Sequence, residues 1–402
     1  MIIVFSPPMQ KQILTPLFFF EHPIWLVGFR PLFFLAIVSG AIFPLTWALV
    51  FSGLISLPQT GLSTLQWHAH EMLFGFGWAV LGGFLLTASK NWVKIRGLHG
   101  LGLAAVTLLW LIERGVILSD ASLPLWLRLI FLNAFTFAVA GYVLWSLLYY
   151  RKNDSFSDNY FFILALPFFL VAKNMILFSD TFAIGTTLAI GLFRLAFAVM
   201  FERTTTQFMK NAMGVEILRN PILDFFIKAS ILVAAFQALL PQALAIAVLS
   251  LAAVLLSFRF LFWKPLMAFR RFDIAVMYIG YLGLTLHLYA EAFKLLGIFM
   301  GLGSLSVHIF TFLCMGIIIP SMLIRISQGH TGRKLVFTTS DRVAIGAMML
   351  ASFFRLVATQ IWPESYVTWI SLSALGWTLC FTIIGVRLIP FLFEPRIDGR
   401  VH

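Results

Sequence analysis

His68, His70, Glu71 and Met72 put two imidazoles, a carboxylate and a thioether within five residues, at the head of an apolar run that reaches about Ser89. Imidazole is the commonest protein ligand for haem iron and copper, and a thioether suits copper. A run of that length crosses a bilayer, where ionisable groups are costly and mark function. The stretch from Trp67 to Gly77 therefore reads as part of a metal site on a membrane helix. On a regular helix His68, Glu71, Met72 and Gly75 share a face, while His70 points about 200° away from His68. Either the imidazoles serve two sites, or the first turn is unwound and both reach one metal.

Other chemistry-bearing residues lie far apart in the chain. His308 follows the start of an apolar run near Gly303 and is a third candidate ligand, with His287 and Met72 as further ones. Glu71 and Glu113 are candidate proton carriers. Arg114, Arg194 and Arg355 could neutralise haem propionates or another anion, or pair with Glu71, Glu113 or Glu291. His287, Glu291 and Lys294 share one helix face at i, i+4 and i+7, as either a proton path or an ion-paired strut. Gly75 and Gly82 continue the His68 stripe and suit close helix packing more readily than a haem face. The segment from Gly329 to Arg333 suits a tight turn better than an anion cradle.

The chain that must position these groups has 402 residues, 61% hydrophobic and 11% charged. A soluble domain runs about 45–50% apolar and about 25% charged, so this is an integral membrane protein. About twelve spans are expected, near 31–52, 68–89, 98–118, 125–149, 160–178, 183–202, 222–240, 243–263, 273–299, 303–325, 342–361 and 366–390. Period-2 alternation is absent, which excludes a β-barrel. The predicted fold is an all-α, polytopic transmembrane bundle forming a single domain over residues 1–402. Met1 to Lys11 does not read as a cleaved signal peptide. Cys314 and Cys380 lie inside apolar runs, so no structural disulfide is expected.

Basic residues alternate between loops. Lys90, Lys94 and Arg96 follow the second span and Arg151 and Lys152 the fourth, whereas 53–67, 119–124, 179–182 and 362–365 carry no Lys or Arg. The positive-inside rule then puts both termini in the cytoplasm. The net charge of +12 reflects topology rather than nucleic acid. With that orientation the spans 68–89 and 303–325 start on the same outer side. His308 sits roughly 8 Å below its start, level with His68 and His70. Most of the polar groups named above fall in the same outer half, which implies one polar cavity opening outward.

Trp67 to Phe76, followed by Gly83 to Ala88 and by Asn91 and Trp92, closely resembles the NnrS family of bacterial inner-membrane proteins. Gly28 to Phe34, Gly329 to Arg333, Glu394 to Gly399, and Ser306 to His308 extend the resemblance over the whole length. The chain departs from the family pattern at Phe201 to Thr206, and on the ninth span, where the family suggests a His near Tyr278 and the only one is His287. The resemblance implies b-type haem and copper, a link to nitric oxide resistance and nitrosative stress, and a multi-pass place in the inner membrane. It also implies lipid and nitric oxide, or another small ligand, as partners, with an electron donor of unknown identity. Whether the protein is an oxidoreductase stays open. Two other functions compatible with the residues are a twelve-helix secondary transporter of a small anion or metal and a haem or copper delivery factor.

Overall fold

A computed structural model of the protein describes residues 19–58, 61–119, 123–298 and 303–400. The leader reading of Met1 to Lys11 lies outside the described residues. Twelve helices dominate: α1 (Phe29–Phe51), α2 (Thr64–Trp92), α3 (Gly100–Leu118), α4 (Leu125–Tyr149), α5 (Tyr160–Leu177), α6 (Phe182–Met213), α7 (Pro221–Ala235), α8 (Gln242–Phe262), α9 (Phe272–Leu295), α10 (Leu305–His330), α11 (Thr339–Ile361) and α12 (Tyr366–Phe393). No strand occurs among the described residues. Among the described residues, eleven helices are long and apolar enough to cross a membrane. The exception is α7, whose 15 residues fall short of its predicted span. Asn220 caps its start through Ile222 and Leu223 N–H, with Pro221 at the first helical position. Its far end stops at Phe236, and Gln237 leaves the helix in a 3₁₀ turn.

The apolar runs fix the helices, but burial sorts them. About 83% of the core window of α2 is enclosed by protein, against 72% for α6 and α9 and 61% for α10. The other crossing helices fall between 33% and 44% and turn much of their surface outward. The four most enclosed helices are those that carry His68, His70, Arg194, His287 and His308. α2 starts at Thr64 rather than at His68, because Ser63 forms a capping box with Gln66. His68 thus lies one turn inside its helix.

Three helices contain π segments: Glu71–Gly77 in α2, Ile309–Gly316 in α10 and Phe354–Ala358 in α11. Such i→i+5 turns are rare and concentrate at functional sites. Each one here begins next to, or contains, a residue singled out by its chemistry: His70 and Glu71, His308, and Arg355. They also break the regular stripe expected after His68. Gly75 lies under Glu71, Arg114 and Phe43, whereas Gly82 meets Leu32 and Val139.

The helices gather into two compact units that interleave along the chain. Unit 1 comprises Met1–Leu170, Met322–Ala344 and Thr378–His402; unit 2 comprises Val171–Ser321 and Ile345–Trp377. In unit 1, α2 packs on α1 and α4, and α3 on α4. In unit 2, α9 packs on α8, α10 and α6, and α6 on α7. Gly283 permits the α9–α10 approach, since a Cβ there would come within 2.6 Å of the Leu313 backbone.

Three of the short motifs meet at one end of unit 1. Buried Arg30 donates to the carbonyls of Leu392 and Glu394 at 2.8 and 2.7 Å. Phe29 packs on the His330 ring, Arg333 pairs with Glu394, and Arg396 donates to the His330 carbonyl. The backbone N–H groups of Thr331, Gly332 and Arg333 are used on the carbonyls of Gln328 and Gly329. This segment is a tight turn, with Gly332 at φ 78°, and its donors are not turned toward an anion.

Candidate functional site

Unit 1 holds a buried ionic cluster on α2 and α3. Helix periodicity brings Glu71 toward α3, and Glu113 and Arg114 come from consecutive positions there. Arg114 Nε donates to Glu71 Oε2 at 3.0 Å, and its Nη2 reaches Glu71 Oε1 at 3.4 Å and Glu113 Oε1 at 3.2 Å. His70 stands between the carboxylates, with Nδ1 at 2.9 Å from Glu71 Oε1 and Nε2 at 3.3 Å from Glu113 Oε1. All four side chains are buried. One guanidinium and one imidazole face two carboxylates. Trp110 closes the site. Its ring lies 4.6 Å under the Arg114 guanidinium, and its Nε1 donates at 2.9 Å to the carbonyl of Gly75, in the π segment.

His68 does not join this cluster. Its ring stacks on Trp47 of α1 at 4.2 Å, and Met72 is half-buried beyond it. The two imidazoles of the opening stretch therefore diverge, as their spacing on a helix requires.

Unit 2 holds a second polar layer with a different balance. Arg194, 1% exposed, donates from Nη2 to the Ala234 carbonyl at 3.0 Å and to Gln237 Oε1 at 3.1 Å. Its Nη1 stands 3.5 Å from His287 Nε2, and its Nε is buried with no hydrogen-bond acceptor among the described residues. Gln237 passes its own N–H to Glu291 Oε2 at 2.5 Å. His287 Nδ1 lies 2.7 Å from the Ser306 carbonyl, which fixes the tautomer with a proton on Nδ1 and the lone pair on Nε2. His308 repeats the device, with Nδ1 2.7 Å from the Ser304 carbonyl. Arg355 Nη2 meets Ser304 Oγ at 2.9 Å and the His308 ring at 3.1 Å, with Tyr366 beside it. Among the described residues, no carboxylate lies within ion-pair distance of Arg194 or Arg355.

The structure thus brings together Glu71, Glu113, Arg114 and His70 in unit 1, Arg194 with His287 in unit 2, and Arg355 with His308 in unit 2. Glu291 joins its layer through Gln237, while Lys294 is exposed and does not extend the row. Sequence reasoning missed Gln237 and the carbonyls of Ser304 and Ser306. Gln237 carried a signal, as a polar residue near the end of a predicted span. The carbonyls carried none, because backbone groups have no sequence signature.

The sequence profile of the NnrS family, described as NnrS protein, matches residues 23–396, nearly the whole length. The chain belongs to the NnrS family. It is a nitric-oxide-related multi-pass membrane protein of a haem- and copper-associated family. No curated protein matches it.

Haem requires an axial donor and counter-charge for its carboxylates. The unit 2 layer of this NnrS family protein fits that demand. Metal-binding imidazoles characteristically donate one N–H to a carbonyl; His287 and His308 make that bond, while the Nε2 of each faces a guanidinium, Arg194 at 3.5 Å and Arg355 at 3.4 Å. The orphaned Nε of buried Arg194 and the uncompensated Arg355 suit carboxylates. For copper the fit is poor. Among the described residues no three His, Cys, Asp or Glu side chains are arranged to hold an ion, and both ring nitrogens of His70 face carboxylates.

Proposed function

We propose that this protein binds haem through unit 2 and handles nitric oxide there, as a multi-pass protein of the bacterial inner membrane with both termini in the cytoplasm. His308 and His287 are the candidate imidazoles that would hold its iron, and Arg355 and Arg194 would pair with its carboxylates. The single observation that carries this reading is the pairing of a carbonyl-anchored imidazole with a buried guanidinium that has no carboxylate partner, found twice in one unit. Bound there, haem would supply an iron coordination position for nitric oxide.

The chain's own residues supply the rest. Anchored Nδ1 atoms hold each imidazole in one tautomer and one orientation. Protons are a separate need, since reduction of two nitric oxide molecules to nitrous oxide and water consumes two protons and two electrons. His70, Glu71 and Glu113 form a buried set in which a proton can sit on imidazole or carboxylate at small geometric cost, with Arg114 holding both carboxylates in place. Electrons come from an external donor.

Purification in detergent from haem-supplied cells tests the reading. A Soret band near one haem per chain is expected. His308→Ala should lose most of that haem while inserting at wild-type level, and His70→Ala should keep it. Full haem retention in His308→Ala sinks the ligand assignment; a colourless wild-type protein sinks haem binding altogether.

A further inference from the structure

Unit 2 also contains an open apolar cavity of about 590 Å³. Its walls include Ala290 and Phe293 of α9, Ile309 and Leu313 of α10, and Phe353 and Leu356 of α11. Two of the three π segments thus contribute wall residues. Its two hydroxyl side chains, Tyr289 and Ser352, are already engaged: Tyr289 Oη bonds Ser257 Oγ at 3.1 Å, and Ser352 Oγ donates to the Met348 carbonyl at 2.8 Å. Nothing on the wall is left to hold a polar or charged molecule.

The mouth faces outward on crossing helices. Phe293, Phe353 and Val357 at the cavity are 37–43% exposed on helices long enough to span a bilayer, so lipid is the phase they meet. On α10 and α11 the wall residues are sequence neighbours of the polar layer. Ile309 follows His308 directly, Leu305 precedes it by less than one turn, and Leu356 follows Arg355. The cavity is therefore an apolar recess between crossing helices whose wall lies within one helical turn of His308 and Arg355, neither of which lines it.

We propose that this cavity is a lateral entry by which a small uncharged molecule moves from the lipid phase to the His308 layer without crossing water. In the functional reading above, on which this step rests, that molecule is nitric oxide. A diatomic gas partitions into hydrocarbon and asks for no hydrogen bond, which matches a wall whose polar groups are all satisfied. Water and small anions gain nothing there and are held back by the cost of desolvation. An acyl chain is the competing occupant.

The test uses the full chain. Crystals pressurised with xenon, an apolar probe that enters dry cavities, should show xenon between α9, α10 and α11. The haem protein in lipid nanodiscs should then show carbon monoxide recombination after flash photolysis that slows at least fivefold in Val357→Trp, where the added ring plugs the mouth from its lipid side. Association and dissociation should slow together, leaving equilibrium affinity and the Soret band unchanged, as a gate on a path requires. Ala290→Phe fills the passage from its wall and provides the same readout should Val357→Trp fold poorly. Continuous acyl-chain density in place of xenon overturns the entry role, as do unchanged recombination rates in both variants, and either result leaves haem binding intact. Absence of a Soret band in the wild type overturns haem binding and the entry role with it.

Discussion

The two polar layers bury similar side chains and balance them in opposite ways. In unit 1, one guanidinium has two carboxylates within 3.4 Å and an imidazole between them. In unit 2, two buried guanidiniums make do with one carbonyl, an amide, a hydroxyl and imidazoles. A buried charge is expensive unless paired, so the first layer is complete in itself, while the second keeps a standing demand for negative charge. A complete ionic cluster can store and pass protons. An incomplete one, next to oriented imidazoles, is suited to receive an anionic cofactor. In the function proposed above, the first layer handles protons and the second holds the cofactor.

The largest expected effect separates them directly. Arg114→Met strands two buried carboxylates and should cost about 3–5 kcal/mol of stability, read as a drop in detergent melting temperature. Adding Glu71→Gln and Glu113→Gln should return part of the loss. Arg355→Met, which strands no charge and loses only neutral partners, should change apo stability by no more than about 1 kcal/mol. Equal losses at Arg114 and Arg355 would break the comparison. A smaller effect is expected at Gly75, where an added methyl would lie 2.8 Å from the Phe43 ring and 2.9 Å from Glu71 Oε2. Gly75→Ala should cost about 1–3 kcal/mol by overpacking, while Gly115→Ala, facing open space on α3, should cost nothing measurable.

The smallest effect sets the zero of the scale. Asp398, outside the spans, is held well below the usual carboxylate range by hydrogen bonding to Arg396. A depressed folded value means its contribution exists above the unfolded carboxyl value of about 4 and fades as pH falls below it. Asp398→Asn should lower the melting temperature at pH 7 only slightly, as an exposed ion pair allows, and that difference from the wild type should vanish as pH falls below about 4. A loss at pH 7 comparable to that of Arg114→Met would mean that exposure does not separate these ion pairs.

The helical bundle was legible because apolar runs of bilayer length admit little else. The candidate residues were visible for the same reason, since Glu71, Glu113, Arg194 and His287 stand out against hydrocarbon, and what the structure adds is their burial. Their partners were harder to see. Arg114 was expected either to serve propionates or to pair with a glutamate, and only packing of α2 on α3 decides that it pairs with Glu71 and Glu113. The start of α2 was readable in Ser63 and Gln66, a capping box placed just ahead of the apolar run. The π segments were not readable: a one-residue register change leaves hydrophobicity intact, so the stripe from His68 through Gly82 looked regular. The shortness of α7 follows from Gln237 turning out of the helix toward Arg194 and Glu291, a demand set by residues distant in the chain.

Arg30, on the first of the twelve helices, takes two of its hydrogen-bond acceptors from the end of the last one, 362 residues away at Leu392 and just beyond at Glu394. At ribosomal rates of about 5–20 residues per second, those acceptors emerge roughly 20–70 s after the arginine itself. During that interval the nascent chain carries an inserted cation still waiting for the carbonyls that will hold it. The first helix is thus latched at this end only after the last one has been made, and a chain cut short before Glu394 lacks a carbonyl that closes the latch.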